Sequence, residues 1–262
     1  MPIIIKIGGV ALEQQRAAPE LWRALLDLHQ RSGVVLVHGG GKAVDALLAK
    51  LSMPTQRREG IRITPPDQMD VIAGVLAGSV NKSLVGAINA ASDGARTAVG
   101  LCLGDGGAVR ASKATRFAFD PGRVGEVDLA ATQGRLIATL LRDGFIPVLS
   151  SIGIDDAGDL LNINADDAAA ALAKALSASA LVLLTDVEGV KDERGSVVPT
   201  LDHAAIERMI ASGAIAGGMI PKVRAALDTS RAIAAPVTIM SGSDTSALER
   251  WAKGEPVGTR VA

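Results

Sequence analysis

The stretch "VVLVHGGGKAVD", residues 34–45, fixes the reading of the chain. A run of β-branched and aliphatic residues stops at three glycines, and a pattern of helical period begins directly after them. Apolar residues on both faces mark a strand buried on both sides, the kind found in parallel sheets covered by helices. A glycine turn between such a strand and a helix leaves unpaired backbone N–H groups at a helix N-terminus, which suits an anion. The commonest lysine-bearing phosphate loop would need Gly at 36 and Ser or Thr at 43, where this chain has Leu36 and Ala43, so that loop is excluded.

The same alternation continues outward. "IIIKI" 3–7, "TAVGL" 97–101, "FIPVLS" 145–150, "ALVLLT" 180–185 and "PVTIM" 236–240 are further buried strands. One helix is predicted from Pro19 through Leu21, Trp22, Leu25 and Leu28 to a stop at Gly33. Another joins Val44, Leu47, Leu48 and Leu51 before Pro54. The pattern is that of an open three-layer αβα sandwich with a mainly parallel central sheet. Two segments, 55–64 and 108–113, read as hairpin strands laid over it, with Arg62 and Thr64 opposite Ile61 and Ile63 on the first; residues 116–128 read as a loop or short hairpin.

Composition removes several classes of function. The 262 residues carry a formal charge of −1, which leaves no basic footprint for nucleic acid or an anionic membrane. Aromatic residues make up 2% and Tyr is absent, so there is little material for base stacking. The one cysteine, Cys102, rules out an internal disulfide and fits a reducing cytoplasm, where it reads as a small buried hydrophobe. Charges interrupt the longest apolar stretches and "MPIIIKIGG" lacks a basic region, so neither a membrane span nor a leader is expected. A small-molecule partner remains.

Five places carry chemistry. Lys6 interrupts a buried strand near its C-terminal end and is followed by Gly8 and Gly9, in the position where open α/β sheets collect ligands. Gly39, Gly40 and Gly41 form a second anion turn, beside His38, which reads as a packing residue. "LNINADDAA" places Asn162, Asn164, Asp166 and Asp167 at a strand-to-helix junction; helix capping explains one of the four, and a calcium loop fails at Asp167 and Ala173. "LTDVEGVK" turns through Gly189 at a strand end and offers Lys191 to a phosphate. In "AGGMIPKV" a helix is expected to open at Pro221 with Lys222 in its first turn, a place unfavourable to a cation unless an anion accompanies it.

Taken in order along the whole chain, "KIGGVAL", "LVHGGGKAVD", "GIRITPPDQMD", "GVLAGSVNKSLV", "GLCLGDGG", "PVLSSIG", "LNINADDAA", "LLTDVEGV", "GGMIPKV" and "GEPVGTRV" resemble the amino-acid-kinase family, and within it the branch that acts on N-acetyl-L-glutamate in arginine biosynthesis. The resemblance implies two lobes, residues 1–177 for the acetylated acid and dimerisation and 178–262 for ATP. It implies transfer of the γ-phosphoryl of ATP, with magnesium carried mainly on the nucleotide phosphates, to a side-chain carboxylate. By motif, Lys6 and Lys222 match the lysines that stabilise the phosphoryl group and Asp166 the aspartate that orients them. Gly40, Gly41, Arg62 and Asn162 match the acceptor contacts. Gly8 and Gly9, Asp186, Val187, Glu188, Gly189, Val190 and Lys191, and Ala214, Ile215 and Ala216 match the nucleotide site. No protein-held metal is implied.

Arginine-inhibited members of the family carry a helix ahead of the first strand, whereas Lys6 already lies in that strand, and the expectation is a cytoplasmic homodimer insensitive to arginine. Ala214, Ala216 and Gly217 stand where several members have polar residues, which removes side-chain readout of the nucleotide there. An aminoadipate-type kinase and a catalytically silent sensing module on the same fold are the alternatives; retention of Lys6, Asp166 and Lys222 argues against the second.

Overall fold

The computed structural model describes residues 1–13 and 18–262. In chain order the first half comprises β1 Ile3–Ile7, α1 Gly9–Glu13, α2 Pro19–Ser32, β2 Val34–His38, α3 Gly41–Lys50, β3 Gln56–Arg58, β4 Ile61–Ile63, α4 Pro66–Ala73, a π-helical turn Gly74–Val80, α5 Asn81–Ala90 and β5 Ala98–Cys102. Next come β6 Arg110–Lys113, β7 Val124–Asp128, α6 Arg135–Arg142, β8 Ile146–Ser150, β9 Ile152–Ile154, β10 Leu160–Ile163 and α7 Ala165–Ala175. The remainder is β11 Ala180–Thr185, β12 Thr200–Leu201, α8 His203–Ala211, α9 Met219–Ile233, β13 Val237–Ser241, α10 Ala247–Ala252 and β14 Thr259–Val261.

The main sheet has eight strands in the order β12-β14-β13-β11-β1-β2-β8-β5. From β13 to β5 every pairing is parallel; β14 runs antiparallel to β13, and β12, parallel to β14, forms the far edge. Strand β1 is buried at every residue but Lys6, which is partly exposed, because each face is covered. Ile3, Ile5 and Ile7 join the apolar cluster that includes Trp22, Leu25, Leu48, Ile72 and Leu84, while Ile4 joins the one built with Leu172, Val223 and Leu227. The two-residue alternation of a strand therefore sends Lys6 to the same face as Ile4, the face covered by α7 and α9.

The hairpin β3–β4 is antiparallel and forms a separate two-stranded sheet. A four-stranded sheet, β6-β7-β10-β9, accompanies it. Residues 124–128, expected as part of a loop or short hairpin, form β7, paired with both β6 and β10; pairing on both sides overrides the local Gly and charge content. Leu51 is not on the buried face of its helix: α3 ends at Lys50 and Leu51 is 51% exposed. Pro66–Ala90 runs as one continuous helix of 25 residues, with an 18-residue stretch of mean hydropathy 1.6, long and apolar enough by length and composition to cross a membrane. Its Met69, Ile72, Leu76, Leu84 and Ile88 instead belong to the apolar cluster against the central sheet, so this helix is part of the core.

Candidate active site at the ends of the central strands

Helix α7 begins with Asn164 as its N-cap, whose side-chain oxygen accepts from the backbone N–H groups of Asp166 and Asp167. That cap turns Asp166 toward the end of β1. Its carboxylate receives Lys222 Nζ on Oδ2 at 2.9 Å and lies 2.9 Å from Lys6 Nζ through Oδ1. Burial alone would raise the pKa of Asp166; the two ammonium groups outweigh it and hold the carboxyl below its ordinary value. The chain thus gathers residues 6, 166 and 222 at one point, as the sequence implies.

Helix α9 opens at Met219 rather than at Pro221. The first turn of a helix has N–H groups without intrahelical partners, so a proline there costs no bond and the helix can start ahead of it. Lys222 remains close to the N-terminus, and the anion that offsets its unfavourable position is Asp166.

On one side of this trio lies a small pocket of about 210 Å³ that contains all four expected acceptor contacts, Gly40, Gly41, Arg62 and Asn162. Arg62 is 8% exposed. Its guanidinium donates to Asp45 Oδ1 at 2.5 Å, to the Gly41 carbonyl at 3.1 Å and, more weakly, to Thr55 at 3.4 Å. Asp45 also accepts from Arg57 at 2.8 Å. Burial pushes its carboxyl pKa up, but the two guanidinium groups prevail and keep it low. Asn162 donates to Thr64, and Thr64 donates to the Arg62 carbonyl, which links β10 to the β3–β4 hairpin. Val44, Ile72 and Leu76 form an apolar wall, with Ser151 and Arg116 also at the rim.

The glycine turn itself is backbone pressed close to its neighbours. Gly40 has φ 151°, and a Cβ there would lie 2.7 Å from Leu76 Cδ2. Below the turn His38, fully buried, is hydrogen-bonded at 2.8 Å to the Gly39 carbonyl, and Asn81 Nδ2 lies 3.0 Å from His38 Nε2. The neutral tautomer with hydrogen on Nδ1 satisfies both contacts. Burial, partly countered by the Gly39 carbonyl, lowers the His38 pKa to about 4.

On the other side opens a cleft of about 1010 Å³ lined by Asp186, Val187, Glu188, Gly189, Val190 and Lys191, by Ala214, Ala216 and Met219, and by Ser241, Ser243, Asp244, Arg250 and the loop 256–258. Ile215 does not face it: its side chain is 1% exposed and packs in the core, so only its backbone is available. Gly8 and Gly9 do not line it either: Gly8 lies beside Lys6, and Gly9 lies against Asp186 at its edge. A Cβ on Gly8 would sit 2.9 Å from Lys6 Nζ, and one on Gly9, with φ 53°, would sit 1.7 Å from Asp186 Oδ1. Glycine is required at 9 both by conformation and by that approach. Lys191 is paired with Glu188 at 3.0 Å on the exposed rim.

Sequence reasoning passed over Asp45, Thr64, Leu76 and Asn81. It also missed "SGSD" 241–244, although a polar turn at the C-terminal end of the buried strand β13 is where such sheets bind ligands.

A junction of two lysines and one aspartate at the carboxyl ends of parallel strands, with a small basic pocket and a large cleft on either side, belongs to enzymes that move a phosphoryl group between two anions. Residues 1–241 match the amino acid kinase family, and the chain belongs to it. An acetylglutamate kinase of Pectobacterium carotovorum subsp. carotovorum (strain PC1) is 45% identical over 263 residues, covering 99% of this chain and 98% of the relative. Among solved structures, smu.665 from Streptococcus mutans UA159 superposes with a TM-score of 0.81 at 30% identity, covering 100% of this chain and 98% of that one. Carbamate kinase from Giardia lamblia bound to AMP-PNP shares the fold, with a TM-score of 0.69 at 19% identity over 99% of this chain and 97% of that one.

Proposed function

We infer that this enzyme transfers the γ-phosphoryl group of ATP to the side-chain carboxylate of N-acetyl-L-glutamate, giving an acyl phosphate for arginine biosynthesis. The observation that carries the reading is the Lys6–Asp166–Lys222 junction between the Arg62 pocket and the cleft. A carboxylate nucleophile is ionised at neutral pH, so no base is needed; the barrier is bringing two anions together. Asp166 holds two ammonium groups on one carboxylate, pre-set to meet charge as it spreads over the phosphoryl oxygens. Arg62, fixed by Asp45 and Gly41, is the grip for the α-carboxylate, and Asn162 stands beside it.

ATP enters the larger cleft, with magnesium arriving on its phosphates. The lobe division at residue 177 draws support from the lining: the small pocket uses only residues 39–165 and the cleft only residues 186–258. The same reading includes a two-fold homodimer through the N-terminal lobe, the commonest closed assembly, to be checked by light scattering. It puts the enzyme in the cytoplasm with its nucleotide.

The test is an acyl-phosphate assay with hydroxylamine trapping. Purified enzyme, magnesium and ATP should give hydroxamate with N-acetylglutamate; ATP that is not consumed with this acid would sink the assignment, and turnover with an aminoadipate-type acid would then separate the related kinase from the sensing module.

A further inference from the structure

The wide turn Gly74–Val80 interrupts an otherwise regular helix at the wall of the acceptor pocket. It is π-helical: the backbone N–H of Asn81 reaches the carbonyl of Leu76, five residues back, as well as that of Gly78. Such a turn holds one more residue than a regular one, so it shifts the side chains on its two sides relative to each other. Leu76 is thereby directed at Gly40, the closest approach to that glycine, and lines the pocket together with Ile72 and Val44.

The end of the turn is locked. Asn81 is fully buried and its amide donates to the Val148 carbonyl of β8 at 2.9 Å while meeting His38 Nε2 at 3.0 Å. Its Oδ1 accepts from Lys82 Nζ at 3.2 Å, and Lys82 also donates to the Gly100 carbonyl at 3.1 Å. Asn81 therefore acts on the glycine turn by two routes. One runs through its backbone to Leu76 and on to Gly40; the other runs through His38 to the Gly39 carbonyl.

We propose that Leu76 is the residue that limits the bulk of the acid admitted to the acceptor pocket, with Asn81 as the positioning residue that fixes it. This rests on the acceptor assignment above. An acid held at one end by Arg62 and at the other by the lysines has fixed anchors. Any extra methylene must bow outward, and the wall it meets is Leu76 with its neighbours. The pocket is small, about 210 Å³, so little slack is available.

The experiment compares kcat/KM for N-acetylglutamate with that for N-acetyl-2-aminoadipate, one methylene longer between its carboxylates, and for N-propionylglutamate, one methylene longer on the acyl group. Leu76→Ala should reduce the preference for N-acetylglutamate over at least one of the longer acids about 10-fold or more, the scale of one methylene in an apolar pocket. KM for ATP should stay within about twofold of wild type, since the cleft is built from other residues. Asn81→Ala should move the preference in the same direction by a smaller factor. A purely structural role would slow all three acids in parallel and leave the ratios unchanged. If Leu76→Ala fails to fold, Leu76→Val gives the same reading at smaller scale. Unchanged ratios for both longer acids, in a variant with wild-type KM for ATP, overturn the proposal. Wild-type enzyme inactive with N-acetylglutamate would instead overturn the functional assignment beneath it.

Discussion

The two cavities that flank the lysines differ in what reads the ligand. The pocket proposed for the acceptor is small, walled by a buried arginine, apolar side chains and a glycine turn, and the arginine and the turn are held by further hydrogen bonds beneath. The cleft proposed for ATP is nearly five times larger by volume, about 1010 against 210 Å³, and its rim carries exposed groups such as Asp186, Glu188, Lys191 and Ala216. On the proposed assignment, specificity is concentrated where side chains are fixed by their neighbours, and the donor side relies on backbone and shape. A pre-organised site loses much when one part is removed; an open one loses little.

Four measurements would break or sharpen that contrast. The largest effect belongs to neither cavity. Lys222→Met should lower kcat about 100- to 1,000-fold with much smaller changes in either KM, because its charge counts most as the phosphoryl group moves. A variant that keeps near wild-type kcat would remove Lys222 from the chemistry.

Next comes the acid stability of the acceptor side. His38 binds its proton only near pH 4 in the folded protein, against 6.5 ordinarily. Between those values the unfolded chain holds a proton that the folded one lacks, so stability falls as pH drops through this window, by at most about 3 kcal/mol. The Asp166 contribution has the other character: its lowered pKa stabilises above the ordinary carboxylate value and is lost only below it. Urea unfolding of wild type and His38→Gln from about pH 7 to about pH 4.5 separates the two. Parallel curves would exclude a neutral buried His38.

Arg62→Ala should raise KM for the acetylated acid about 10- to 100-fold, the scale of a lost charge-assisted contact, with kcat changed far less. Collapse of kcat at an unchanged KM would reject the carboxylate grip. The smallest effect is expected at Lys191. It is exposed and already paired with Glu188, so Lys191→Ala should raise KM for ATP by no more than about fivefold. A loss as large as that of Arg62→Ala, on the ATP side, would erase the contrast between the cavities.

The sequence announces the trio proposed to react because each member breaks a local rule: a lysine inside a buried strand, a cation at a helix start, and a cluster of Asn and Asp larger than a cap needs. Arg62 and the glycine turn were legible for similar reasons. Leu76 and Asn81 were not, since "GVLAGSVNKSLV" reads as ordinary helix and nothing in a 3.6-residue pattern announces a wider turn. Strand β7 was legible only as loop or short hairpin: its antiparallel pairing with nearby β6 fits the hairpin, but its parallel pairing with β10 is decided by residues far along the chain. Ile215 shows the converse error: a motif marks a stretch of chain, while burial decides which of its side chains reach the cleft.

Strand β1 lies between β2 and β11 in the middle of the main sheet, its residues Ile3–Ile7 registered against 34–38 and 180–184. During synthesis its first neighbour is available almost at once, but its second exists only after residue 184 has been made, roughly 7–30 s later at about 5–20 residues per second. Lys222 follows later still. The growing chain therefore carries a half-paired, strongly apolar strand for most of its synthesis, and on the proposed roles it lacks one of its two phosphoryl-binding lysines until residue 222 has been added. Order of manufacture then keeps the proposed catalyst silent until both lysines exist.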